Sequence, residues 1–216
     1  MKHITFYLDF ISPYACLAFE HMPEALAGVS HSVSYKPVLF AGMLKHYGQL
    51  GPAEIAPKRD WTYRQVLWLA HSKGIDLQMP LAHPFNPLGL LRLATACSSP
   101  AEAGTPNRYV CETIFRHVWQ GGADAADAQR LEVLSQQLAP QIQVQAEEAK
   151  ALLKNNTEEA ISKNVFGVPA FEVDGKIFWG MDALPMLRDY LTGSEWFAGD
   201  AWDGVCKVET GVTRKN

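Results

Sequence analysis

Asp9-Phe10-Ile11-Ser12-Pro13-Tyr14-Ala15-Cys16 is the stretch on which the fold turns. Before it, Lys2 to Leu8 carries the β-branched and aromatic run Ile4-Thr5-Phe6-Tyr7, the composition of a buried strand. After it, Leu17, Phe19, Glu20, Met22 and Leu26 set apolar and polar side chains at helical spacing. Ser12 suits an N-cap, and Pro13 suits the first helical turn, where a missing N–H costs nothing. A helix that starts directly after a strand presents free N–H groups and a partial positive charge. Both stabilise an anion, and a thiolate is such an anion. The ordinary alternative is that Ser12 caps the helix and does nothing else. This stretch alone leaves the two open.

Working outward, Gly28 ends the helix, and Ser32 to Leu39 reads as a second strand with Val33 and Tyr35 on one face. That is a βαβ unit, for which a right-handed crossover and a parallel pair are expected. At the other end of the chain, Phe166-Gly167-Val168-Pro169 leads into a short strand, Ala170 to Val173. Asp174-Gly175 is a hairpin turn, and Lys176 to Trp179 returns. Gly180-Met181-Asp182 precedes a helix from Ala183 to Leu191, which completes ββα. Proline directly before an inner strand is poor strand chemistry unless the backbone there serves something else. A cis Val168-Pro169 bond that leaves the Val168 backbone free to pair with an extended ligand would supply the reason. A trans proline that merely starts the strand is the other reading, and cis is the expectation carried forward.

Between these ends the chain reads as almost wholly helical. Residues 40 to 60 lose periodicity around Gly42, Gly48, Gly51, Pro52 and Pro57, and are expected to form a long loop or a loop with a short helix. Helices are expected over Trp61 to Ser72, Leu88 to Cys97, Thr105-Pro106 to Gly121, Ala125 to Leu138 and Ala146 to Lys154. A further helix, capped by Thr157, is expected over Glu158 to Val165. The fold class is therefore α/β, a thioredoxin-like βαβ…ββα unit with a large all-helical insertion. Its expected parts are residues 1–40 with 160–193 for the thioredoxin-like unit and 41–159 for the insertion. Residues 194–216 are expected to pack by their aromatics without regular structure. Thioredoxin-like redox enzymes place Cys-x-x-Cys at the start of the first helix, where this chain has Ser12 and Ala15. Thiol–disulfide exchange is accordingly not expected.

Composition narrows the function. Hydrophobic residues make up 48% of the chain and charged residues 19%, an ordinary globular balance with ample material for a core. A net charge of −4 argues against general binding to nucleic acid or anionic membrane. The apolar runs are too short to span a bilayer, and the N-terminus reads as a strand, not a signal peptide. Cys16, Cys97, Cys111 and Cys206 form no close pair, so reduced thiols in a cytoplasmic protein are the simplest expectation. The seven histidines show no metal-ligand spacing, and no metal site is expected.

Several separated motifs together carry a family resemblance. They are Phe6-Tyr7-Leu8-Asp9-Phe10-Ile11-Ser12-Pro13-Tyr14; Lys45-His46-Tyr47-Gly48-Gln49 with Pro52 and Lys58; Pro84-Phe85-Asn86-Pro87 with Arg92; and Phe166-Gly167-Val168-Pro169 followed by Phe178-Trp179-Gly180-Met181-Asp182. In order and spacing the chain resembles the 2-hydroxychromene-2-carboxylate isomerases, relatives of the kappa-class glutathione transferases within the DsbA-like thioredoxin superfamily. The resemblance covers nearly the whole chain to Leu191. It implies a glutathione-dependent isomerase of aromatic catabolism that yields trans-o-hydroxybenzylidenepyruvate-type products, acting as a homodimer. Glutathione would be the cofactor, with Ser12 hydrogen-bonding its sulfur as the catalytic residue and the Val168 backbone pairing with its cysteinyl part beside Pro169. Trp179, Gly180, Met181 and Asp182 would hold its γ-glutamyl end, and Lys58 its glycine carboxylate. For Asp182 a cap on the last helix is the plainer role. A small aromatic acid substrate would lie near Lys45, Gln49, Phe85 and Asn86. Gln49 stands where the family usually has Asn, Ala183 where an Arg commonly follows the Asp, and Cys16 where an aromatic residue is usual. A kappa-like transferase or peroxidase, and a redox-inactive thioredoxin-fold binding module, are the alternatives.

Overall fold

The computed structural model describes residues 1–212; residues 213–216, the end of the expected irregular tail, lie outside them. β1 (Lys2–Leu8) pairs in parallel with β2 (His31–Pro37), in a register running from Lys2 opposite His31 to Leu8 opposite Pro37. On its other side β1 runs antiparallel to β3 (Ala170–Val173), with Phe6 opposite Phe171, and β3 pairs with β4 (Lys176–Trp179). The sheet order is β2-β1-β3-β4, the thioredoxin arrangement expected from βαβ…ββα. Asp174 and Gly175 both have positive φ, 51° and 79°, as a tight hairpin of this hand requires.

Strand alternation distributes β1 between two cores. Ile4, Phe6 and Leu8 join the larger one, and Tyr7 enters the smaller with Val38, Met43, Ala160, Val165 and Ala170. α1 (Pro13–Ala25) covers the larger-core face and buries Ala15, Cys16, Leu17, Ala18, Phe19 and Met22. α2 (Phe40–Tyr47) and α7 (Glu147–Ser162) cover the opposite face, through Met43 and Ala160. α3 (Ala56–Ser72), α4 (Leu88–Ala96), α5 (Arg108–Trp119) and α6 (Ala128–Leu138) build the rest of the insertion. Its core is continuous with that of α1: the Phe115 ring lies 4.9 Å from Phe10 and 5.2 Å from Phe19.

Several expected boundaries move, each for a local reason. Residues 40 to 60 are more helical than expected, because Gly48 (φ 64°) ends α2 and Pro57 sits in the first turn of α3. These residues mark helix ends and do not exclude helix. α5 is capped by Asn107, whose Oδ1 accepts from Val110 N at 3.0 Å, and not at Thr105. α6 starts at the Asp127 cap. α7 is one helix where two were expected, and it crosses residue 159 without a break. Thr157 is therefore no cap. From mid-helix its Oγ1 donates to Leu153 O and accepts from Leu39 N. After α8 (Leu184–Leu191), the tail packs by its aromatics as expected, with Phe197 5.1 Å from Tyr190 and 5.4 Å from Trp202. It is not irregular, however. Glu195–Ala198 forms a 3₁₀ turn and α9 (Asp200–Gly204) a short helix. The Val168-Pro169 bond is cis as expected, and so is His83-Pro84, which the sequence did not suggest. Among the described residues no helix is long and apolar enough to cross a membrane.

Candidate functional site

The site begins at the β1–α1 turn. Ser12 is the N-cap of α1, extended at φ −87° and ψ 114°, and its Oγ accepts from Ala15 N at 3.2 Å. It is also a close neighbour of the cis-proline segment, with Oγ 3.5 Å from Val168 O. The turn thus brings together two residues 156 apart in the chain, both nearly buried, and joins them at a helix N-terminus. Cys16 is no substitute thiol, since burial pushes its pKa well above the ordinary range.

Asp9 does not serve Ser12 as a base. Its Oδ1 accepts from Ile11 N at 3.1 Å and its Oδ2 from Phe40 N at 3.0 Å, which ties the turn to the start of α2. Complete burial raises its carboxyl to about 7 against the opposing effect of these two donors.

A cleft of about 730 Å³ opens between α1, α3 and α8. Val168, Pro169, Trp179, Gly180, Met181 and Asp182 line it, together with Tyr14 and Gln65. Of the eight residues expected to hold glutathione these are six, and Ser12 adjoins them through Val168. Gly180 N donates to Pro169 O at 2.9 Å and fastens the two lining segments to each other. Two glycines are required by close approaches. A Cβ on Gly167 would lie 2.7 Å from Trp179 Nε1, and Gly180 holds φ 94°, where a Cβ would also run into Asp182 Oδ1. The Asp182 carboxylate therefore folds back over Gly180. It is not a helix cap, since no side chain caps α8 or the 3₁₀ turn before it. Tyr14 donates to Gln65 Oε1 at 2.6 Å across the floor.

The remaining expected residues stand apart from this lining. Lys58 is exposed on the first turn of α3, outside the cleft lining but on the helical face of Gln65, seven residues on and about 10 Å along the axis. Lys45 is exposed in the last turn of α2, and Gln49 follows Gly48. Phe85 is half-buried, its ring edge-on to His83 at 6.2 Å. Asn86 is engaged locally, accepting from Leu88 N at 3.1 Å. Among the described residues no hydrogen bond joins Lys45 or Gln49 to Phe85 or Asn86. A second concavity of about 540 Å³, between α5 and α6, holds none of the expected residues, and its Arg130 is taken up by the Asp124 and His117 carbonyls. No grouping of His, Cys, Asp and Glu among the described residues could hold a metal ion.

Sequence reasoning missed the supports of the turn. Trp119 Nε1 donates to Phe10 O at 2.9 Å, and His83 Nε2 lies 2.8 Å from Ile11 O. The only signal was the position of His83 in a proline-punctuated stretch; nothing local links either residue to Ser12.

Comparison with known proteins agrees with this fold. The chain is similar to the 2-hydroxychromene-2-carboxylate isomerase of Sphingobium xenophagum, 25% identical over 197 residues that cover 88% of this chain and 98% of that one. It is similar to glutathione S-transferase kappa 2 of Caenorhabditis elegans, 26% identical over 207 residues covering 88% and 92%. A solved 2-hydroxychromene-2-carboxylate isomerase shares its fold with a TM-score of 0.76 at 21% identity, over 92% of this chain and 98% of the other. Residues 3–192 match the model of the DSBA-like thioredoxin domain, and the chain belongs to that family.

Proposed function

We propose that this protein is a glutathione-dependent isomerase acting on 2-hydroxychromene-2-carboxylate-type aromatic acids. The observation that carries the reading is the Ser12 hydroxyl at the α1 N-terminus, 3.5 Å from Val168 O, beside a cleft lined by the 179–182 turn. The residues fit a thiol tripeptide. The N-terminus of α1 and the Ser12 hydroxyl favour a thiolate over a thiol. The Val168 backbone, ahead of the cis bond to Pro169 and just before β3, suits strand-like pairing with a peptide. Asp182, free of a capping role, suits an ammonium group, and Lys58 suits a carboxylate at the far end. Bound glutathione supplies a thiolate for reversible addition to a conjugated double bond, which becomes a single bond free to rotate before elimination restores it. Ser12 stabilises that thiolate at its sulfur when it arrives and when it is released. Serine in place of cysteine at position 12 also prevents a mixed disulfide that would stall the cycle. Lys45 and Gln49 are assigned to the substrate's carboxylate and polar groups, and Phe85 and Asn86 to its ring.

A kappa-type transferase is the second reading, favoured by the similarity to the Caenorhabditis elegans protein at nearly the same identity. One experiment separates them: a chromene acid is followed by ultraviolet absorbance with catalytic glutathione, and the thiol is counted at the end. Isomerisation with all thiol recovered supports the proposal. Stoichiometric loss of thiol into an adduct supports transfer, and no glutathione-dependent change overturns the isomerase reading.

A further inference from the structure

The two peptide planes that precede Ser12 are each gripped at both ends. In the Phe10–Ile11 plane the carbonyl accepts from Trp119 Nε1 (2.9 Å) and the N–H donates to Asp9 Oδ1 (3.1 Å). In the Ile11–Ser12 plane the carbonyl lies 2.8 Å from His83 Nε2 and the N–H donates to Asp9 O (3.0 Å). A peptide is planar, so fixing the direction of the Ile11 carbonyl also fixes the Ser12 N–H; from that plane, the Ser12 φ of −87° and the bond from Ala15 N to its Oγ set where the hydroxyl points. Both side-chain grips on carbonyls come from the insertion, Trp119 from α5 and His83 from the stretch before α4.

We propose that His83, fixed by Tyr63, is a positioning residue that aims the Ser12 hydroxyl and couples it to the substrate side of the molecule through Phe85. A carbonyl can only accept, so the ring proton of His83 sits on Nε2. Nδ1 is then an acceptor, and Tyr63 OH shares its one proton between Nδ1, 2.7 Å away, and His83 O, to which it donates at 2.8 Å. The ring is further wedged by Trp119 at 5.6 Å and by Phe85 at 6.2 Å. Tyr63 is the one ionisable side chain among these contacts. Trp119, Phe85 and the Ile11 carbonyl carry no charge, and burial lowers the basicity of His83, which keeps the neutral form. A ring packed against Phe85 two residues from its own backbone is displaced when Phe85 moves. That displacement reaches Ser12 through a single hydrogen bond and one peptide plane.

The geometry stands independently of glutathione; the catalytic consequence rests on the function proposed above. The test therefore has two arms. Nitrogen-15 NMR of the ligand-free protein is expected to show neutral His83 with its proton on Nε2, and Ser12 and Ala15 amide resonances that move in both Tyr63→Phe and His83→Ala. A proton on Nδ1, or unmoved amides, overturns the inference whether or not glutathione binds. With glutathione, His83→Ala is expected to lower kcat about tenfold at neutral pH, with recovery at higher pH and a glutathione KM within about threefold of wild type. His83→Gln, whose amide can still donate to Ile11 O, is expected to restore most of the rate. An unchanged pH profile in His83→Ala, or a Gln variant no better than Ala, overturns it. If the wild type binds no glutathione while the NMR arm gives the expected tautomer and shifts, the functional reading falls and the positioning role stands.

Discussion

At Asp9, complete burial and two backbone N–H donors act in opposite directions on one carboxyl, and burial wins, raising it from 3.8 to about 7. In the unfolded chain the group regains its ordinary acidity. Between these two values the folded protein holds a proton that the unfolded chain has released. The stability due to this group is thus complete below about pH 4 and is lost as pH rises through about 7. A rise from 3.8 to about 7 caps the effect at about 4 kcal/mol. Urea unfolding at a series of pH values should show a decline across this window that Asp9→Asn flattens, since asparagine does not titrate. The same decline in the variant would mean that other groups cause it. The residue itself was visible in the sequence beside Ser12, but its role was not. Its partner Phe40 lies 31 positions away, and only the parallel pairing of β1 with β2 brings the start of α2 to the turn.

Among the elements, α7 fastens three segments: the end of β2, the turn at Gly104 and the residue before α2. Asn156 is nearly buried, and its Nδ2 donates to Pro37 O at 3.1 Å and to Gly104 O at 2.8 Å, while Thr157 receives Leu39 N. Asn156→Ala would leave two carbonyls without this donor and should cost about 2–3 kcal/mol in urea unfolding. A loss under about 0.5 kcal/mol would show that water replaces the amide. On α3, Lys58 shares the face of Gln65 but stands in solvent. Lys58→Ala should weaken glutathione binding about fivefold and leave kcat unchanged, as expected for an exposed charge pair remote from the sulfur. An unchanged dissociation constant by calorimetry would remove Lys58 from the site. Strands and most helices were legible because their signals are local: the β-branched run of β1, the Asp174-Gly175 turn, the apolar Leu88 to Cys97 stretch. The errors fell where a residue has two local meanings. Thr157 has the chemistry of a cap, but here its hydroxyl bonds within and across a continuous helix. Gly48 and Pro57 read as loop and proved to be helix ends.

On the scale of the whole molecule, the cleft exists because the chain ends meet its beginning. Sheet order β2-β1-β3-β4 sets Val168 and Pro169 against the Ser12 turn, and the hairpin after Pro169 carries Trp179 to Asp182 onto the same wall. The family resemblance named the six lining residues without any structure. It also named Lys45, Gln49, Phe85 and Asn86, whose segments no strand pairing links among the described residues. The central claim is that this cleft holds glutathione with its sulfur at Ser12. The most direct test is titration of wild type and Ser12→Ala with reduced glutathione, recording thiolate absorbance as a function of pH. The wild type should bind saturably and show thiolate at neutral pH. The variant should still bind but form thiolate only as pH approaches ~8.5, where a free thiol ionises unaided. Identical thiolate profiles for the two proteins, or no saturable binding to the wild type, would contradict the account.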